Sequence, residues 1–178
     1  MKFKLKYCFI IIVLFLNNSC DNPTEPNIES VNNDIREIVL RDQFQNNYSS
    51  HYNYTGHIDT TIKIYFVGLY ESIDTIYQFR GNVIDPDVDF LSRFDGYWKK
   101  VKKISDAEYD PRSGIKDKVT NEPGLIFKIG PIRWMSENRA EVEAGYYAGN
   151  LSASCISYIL YKENNVWNIY YKIFRWVA

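Results

Sequence analysis

Apolar residues recur at helical spacing in one early stretch and then alternate with polar ones along much of the later chain, a pattern of helix first and strands after. Ile28, Val31, Ile35, Ile38 and Val39 fall on one helical face, Leu40 and Phe44 on a second, and Asn27 or Ser30 stands where a cap belongs. A helix apolar on more than one side is expected to lie against a sheet. The polar, tyrosine-rich stretch 46–56 reads as a loop. From Thr61 to Leu69 the period drops to two, with Ile62, Ile64 and Phe66 opposing Lys63, Tyr65 and Val67, which predicts a strand; Ile73–Phe79 reads as a second, shorter one. Asp85-Pro86-Asp87 predicts a helix start, with Asp85 as cap, proline in the first turn and a further acid facing the helix dipole. That helix turns Phe90, Leu91 and Phe94 inward and stops at Gly96.

A strand over Trp98–Ile104 is followed by the polar stretch Ser105–Pro123, which reads as one long loop, either a lid or a variable excursion. The last third carries four β-rich runs, Leu125–Met135, Ala140–Tyr147, Ala153–Tyr161 and Val166–Val177, separated by short polar turns. In the second run Ala140, Val142 and Ala144 alternate with Glu141 and Glu143, so one face is expected dry and the other wet. The fold class that follows is α+β: two helices packed on a curved antiparallel sheet that ends in a four-stranded meander.

The N-terminus has its own pattern. Lys2, Lys4 and Lys6 precede an unbroken apolar stretch from Tyr7 to Leu16, then Asn17, Asn18, Ser19 and Cys20. Ten apolar residues rise about 15 Å as a helix, roughly half of the ~30 Å hydrocarbon core, so the stretch reads as the apolar core of an export signal. Leu16-Asn17-Asn18-Ser19-Cys20 resembles the lipobox of bacterial lipoproteins. The resemblance implies a diacylglyceryl group on the Cys20 sulfur and removal of residues 1–19; without it, the chain reads as a plain secreted protein. Residues 20–27, polar with Pro23 and Pro26, would form an extended tether, leaving 28–178 as one domain. Cys8 leaves with the signal and Cys20 takes lipid, so Cys155 is left alone, placed in a strand-like run as a small packed side chain.

Charge narrows the function classes. The whole chain is near neutral at −1, and loss of three signal lysines makes the remainder mildly acidic. Nucleic-acid binding needs a clustered cationic face, and the only basic run is Lys99-Lys100-Val101-Lys102-Lys103. That run reads as a solvated edge, with contact to anionic lipid head groups as the functional alternative. No glycine-rich phosphate cradle, nucleophile elbow or repeated Cys-x-x-Cys is present, and no cofactor is implied. His51, His57 and Asp59 are the nearest to a proton-transfer group, with Asp74 and Asp85 at element ends, but they match no catalytic or metal-ligand spacing.

Ala140-Glu141-Val142-Glu143-Ala144-Gly145-Tyr146-Tyr147, Tyr158-Ile159-Leu160-Tyr161-Lys162 and Asn165-Val166-Trp167-Asn168-Ile169, in this order of elements, resemble the cone-shaped domains similar to nuclear transport factor two and ketosteroid isomerase. The same segments also resemble small exported bacterial lipoproteins of no assigned activity. The cone resemblance implies a curved sheet around a pocket, which in the enzymes of that fold holds an acid or a His–Asp pair. No residue here matches such a motif, so no catalytic residue is assigned.

With 15 Tyr, 10 Phe and 4 Trp, the chain is rich in rings that suit both cores and binding faces. Tyr146, Tyr147, Tyr158, Tyr170 and Trp176 are the candidate ligand or partner contacts, on the expectation that about half of the aromatics in the last strands face outward. The expected role is a lipid-anchored, non-catalytic envelope protein that binds a small ligand or an envelope protein. Two alternatives stand beside it: an isomerase- or dehydratase-like enzyme with an acid in the cone, and a purely structural or interaction protein.

Overall fold

The computed structural model describes residues 28–46, 61–70, 83–111, 113–149 and 152–177. Helix α1 spans Ile28–Asn46, so Asn46 closes the helix and does not open a loop. Ile35, Val39, Leu40 and Phe44 are buried along it, joining the two apolar stripes into one wide contact face. Helix α2 is short, Val88–Ser92, and Arg93 just beyond it ties it to α1 through ion pairs with Asp34 at 2.7 Å and Glu37 at 3.1 Å. Phe90 and Phe94 are buried, as their spacing predicts.

The cap of α2 is Asp87, two residues later than expected: its carboxylate accepts the Phe90 amide. Asp85 is already engaged elsewhere. Its two oxygens accept the amide of Ser105 at 2.9 Å and the hydroxyl at 2.6 Å, with Lys103 Nζ at 3.6 Å. Burial raises the Asp85 pKa, and the Ser105 bonds and Lys103 outweigh it, holding the carboxyl below its usual range.

The sheet contains β1 (Ile64–Tyr70), β2 (Val83–Ile84), β3 (Lys100–Lys103), β6 (Gly124–Ile129), β7 (Arg133–Ser136), β8 (Arg139–Gly149), β9 (Ser152–Glu163) and β10 (Val166–Val177); β4 (Ala107–Asp110) and β5 (Gly114–Asp117) form a separate hairpin. Its order is β10-β9-β8-β6-β1-β2, with β3 also on β1 and β7 also on β8. Antiparallel pairing dominates, but β1 runs parallel to both β3 and β6, so the sheet is mixed where a purely antiparallel one was expected. Parallel neighbours require a crossover, and between β1 and β3 the chain has room for one that includes α2.

Two further expectations are corrected by local chemistry. The run Leu125–Met135 is broken into β6 and β7 at Pro131, which has no amide to donate; just before it the Gly130 amide makes a last in-register bond to β8, to the Glu143 carbonyl at 2.8 Å. The stretch 105–123 is ordered as a 3-10 turn (Ile104–Asp106), the β4–β5 hairpin and a tight turn built on Asp117. One Asp117 oxygen accepts the amides of Val119 and Thr120; the other takes Lys102 Nζ at 2.6 Å. Lys102 first, then the Thr120 and Val119 amides, hold this buried carboxyl well below its usual range. The hairpin lays Ile115 onto Ile64 and Phe66 of β1.

The main core lies between α1, α2 and one face of the sheet. Phe44 is at its centre, with ring centroids 4.8 Å from Tyr65, 4.8 Å from Phe127 and 5.5 Å from Phe94. Ala140, Val142, Ala144 and Tyr146 of β8 and Tyr158 and Leu160 of β9 close it.

Candidate ligand-binding site

Alternation along β8 puts Glu141 and Glu143 on the face turned away from α1, as the sequence predicts. That face is not wet: Glu141 is only 7% and Glu143 8% exposed. Two arginines and a serine account for this. Arg133 on β7 pairs with Glu141 Oε2. Arg175 sits where β10 shifts register between Phe174 and Trp176, and from that bulge it donates to Ser157 Oγ at 2.7 Å and Glu141 Oε1 at 3.3 Å, with Glu143 Oε1 at 3.4 Å. The Ser157 hydroxyl in turn donates to Glu143 Oε1 at 3.1 Å.

Arg133, Glu141, Glu143 and Arg175, with Pro131 and Val142, line a recess of about 110 Å³. Two guanidinium groups face two carboxylates, so it carries no net charge. One atom is left over: Glu143 Oε2 is buried and has no hydrogen-bond partner. A buried acceptor without a donor is costly.

Beside the recess lies the sheet's terminal strand. Cross-strand register runs Arg133, Glu141, Ile159, Tyr171 along one line and Glu143, Ser157, Ile173 along the next. Tyr171 is 58% exposed, Tyr170 76% and Phe174 69%. Tyr170 meets Tyr161 edge to face at 5.0 Å, and Arg139 lies over the Tyr161 ring at 5.2 Å.

The five aromatic candidates separate accordingly. Among the four whose side chains are described, only Tyr170 is well exposed. Tyr146 and Tyr158 face α1 and are core residues, a correction that follows from strand parity. The Tyr158 hydroxyl accepts from Gln43 at 2.7 Å and donates to Asp42 at 3.0 Å; burial first, then the Asp42 charge, holds the phenol well above its usual range. Tyr147 is half-buried against the Ile64–Phe66–Ile115 cluster. Trp176 pairs through its backbone with Cys155, and its side chain lies outside the described residues, as do Cys20, His51, His57, Asp59 and Asp74. Cys155 is fully buried, and burial followed by the Glu143 charge pushes its thiol up to about 12, which leaves it a packed, protonated side chain.

The lysine run forms β3, an edge strand on β1 where Lys100 and Lys103 are exposed, as the solvated-edge reading expects, although each lysine has a partner. Lys99 is buried and donates to the Ile62 carbonyl, while Lys100, Lys102 and Lys103 pair with Glu122, Asp117 and Asp85. Among the described residues no group of three or more His, Cys, Asp or Glu could hold a metal ion, and no helix is long and apolar enough to cross a membrane. Arg133 and Arg175 carry no signal of their own in the sequence, whereas Tyr171 belongs to the aromatic set of the last strands. The pair Glu141 and Glu143 on an otherwise apolar strand was the available signal, since two acids facing one way in a sheet call for cations nearby. Comparison with protein-family models, with curated proteins and with solved structures gives no match.

Proposed function

We propose that this chain is a lipid-anchored envelope protein whose α+β domain, arranged in the manner of the cone-shaped folds, is a non-catalytic binding module. The anchoring half of the reading rests on the lipobox-like Leu16–Cys20 segment. The binding half rests on one observation above all: Tyr170 and Tyr171 stand exposed on the terminal strand next to a recess in which the Arg133 and Arg175 side chains reach solvent. Exposed rings beside a polar recess are the composition of a recognition surface. Between α1 and the sheet, where a cone enzyme keeps its acid, Phe44, Tyr65, Phe127 and Tyr158 fill the space. That favours binding over catalysis.

The test has two arms. Mass spectrometry of the membrane-extracted protein should find an acylated Cys20 as the first residue. The double variant Tyr170→Ala/Tyr171→Ala should keep its circular dichroism and lose the molecules that co-purify with the unaltered protein. Identical co-purifying molecules in both proteins would sink the binding reading, and an unmodified N-terminus would sink the anchor.

A further inference from the structure

We propose that the recess is an anion-binding subsite, in which the guanidinium groups of Arg133 and Arg175 together hold a carboxylate or phosphate group of the ligand. The inference rests on the binding reading above and adds the ligand's charge. Four charges balance across the recess, but a ligand touches only those that reach solvent. Arg133 and Arg175 have 59% and 36% of their side chains exposed, against 9% for Glu141 and 10% for Glu143. Pro131 and Val142 complete the lining and bring no charge. The two carboxylates lie behind the guanidinium groups and hold them in place, so an incoming oxyanion meets N–H donors first.

Spare donors and their spacing narrow the class further. Arg133 commits Nη2 to Glu141, which leaves Nε and Nη1; Arg175 commits Nε to Ser157 and Nη2 to Glu141, which leaves Nη1. A guanidinium offers donors alone, so it rewards an acceptor and repels a cation. The two Nη2 atoms hold the two oxygens of one carboxylate, so they stand no more than about 8 Å apart, two polar contacts and one carboxylate edge. Glu141 thus bridges the pair from the sheet side. A second group of the same size can bridge the spare nitrogens from the solvent side, in the forked geometry that suits carboxylate and phosphate. Arg139 adds to the attraction. It precedes Glu141 by two residues on the same face of β8, roughly 7 Å along the strand. Its guanidinium lies over the Tyr161 ring, and among the described residues it has no ion-pair partner, so its charge is not offset there.

The full-length protein, extracted in an uncharged detergent at low salt, is titrated separately with acetate and inorganic phosphate, which tell a carboxylate from a phosphoryl group. Heteronuclear NMR of the arginine Nε–H groups follows the binding, with sodium chloride at matched ionic strength as the blank. At least one of the two anions should move the Arg133 and Arg175 signals along a saturating curve with a midpoint of a few millimolar, about the strength of a weak specific complex. Arg133→Gln, read at Arg175, should weaken that binding about tenfold, and Arg133→Lys, which keeps the charge and loses the fork, by about threefold. Arg139→Gln should weaken it about twofold at low salt and hardly at all in about 0.3 M salt, where its charge is screened. No saturating shift below about 50 mM of either anion would overturn the proposal. So would equal shifts at Arg93, an ion-paired arginine on the far side of the sheet from the recess, or binding that survives Arg133→Gln. A co-purified molecule without an anionic group, lost on Tyr170→Ala/Tyr171→Ala, overturns the anion and leaves the binding reading intact.

Discussion

Strand β8 shows two faces of one sheet, both largely dry and held by different forces. Toward α1 it presents Ala140, Val142, Ala144 and Tyr146 to Phe44, Phe127 and Leu160, and burial of apolar area does the stabilising. On the other side it presents Glu141, Glu143 and Gly145, where Arg133, Arg175 and Ser157 satisfy most of the charge. The first face tolerates no gap because its partners are close-packed rings. The second tolerates substitutions that keep charge and hydrogen bonds in balance. Alternation along a strand therefore separates two faces without telling which is wet.

Truncating the centre of the apolar face should cost most. Phe44→Ala removes a ring in contact with Tyr65, Phe94 and Phe127, and a fall of about 3–5 kcal/mol in unfolding free energy is expected in urea titrations. A loss under about 1 kcal/mol would mean that this core is not close-packed.

Gly145→Ala comes next and probes the opposite face. A Cβ at this position would stand 2.1 Å from the Ser154 carbonyl oxygen, which is backbone and cannot swing away. Strands β8 and β9 must part locally, at about 2 kcal/mol, with faster hydrogen exchange confined to residues near Cys155. Unchanged exchange there would show that the strands approach less closely.

Glu141→Gln is expected to cost less, about 1–2 kcal/mol. It leaves Arg133 and Arg175 without their shared carboxylate, but both reach water. Glu143→Gln should cost less than Glu141→Gln in the same melts, because Glu143 has no ion pair to Arg133 and its Oε2 makes no bond to lose. Reversal of that order would make Glu143, not Glu141, the hub of the cluster.

How much of this was legible in the sequence follows from how local each signal is. The register of α1, the inward Phe90 and Phe94, and the packed Cys155 depend on neighbours within a few residues, and they were readable. The parallel pairing of Ile64–Val67 with Lys100–Lys103 and of Ile64–Leu69 with Gly124–Ile129 was not, because partner choice is made across the chain by a crossover. The hairpin of β4 and β5 hid behind polar residues that pair with one another, such as Lys116 with Glu108 and Asp110. For the candidate site, the acids were visible and their cations were not. Arg175 lies 34 residues from Glu141 and reaches it through a bulge, a feature that leaves no periodic trace.

The last effect separates the faces by titration. Lys128 lies on the Glu141 side of β6, opposite Gly145 of β8 and Gly68 of β1, buried, with its ammonium 5.1 Å from the centre of the Tyr70 ring. Burial lowers its pKa from 10.5 to about 8. Between those values the unfolded chain binds the proton more tightly than the folded one, so this group's contribution to stability rises with pH across the window and is lost as pH falls through about 8. Cys155, Tyr70 and Tyr158 work in the opposite sense: burial raises their folded pKa values, so their contributions are present at lower pH and fade as pH rises. A melt of the unaltered protein alone mixes the two. The difference between it and Lys128→Met, which keeps the same thiol and phenols, isolates the lysine. Relative to the unaltered protein, the Tm of Lys128→Met should fall steadily from pH 7.5 to pH 10, by about 5 °C in all. A difference that stays flat across that range would mean the ammonium is as well solvated in the folded chain as in the unfolded one, and the outer face would then be wetter than its glutamates suggest.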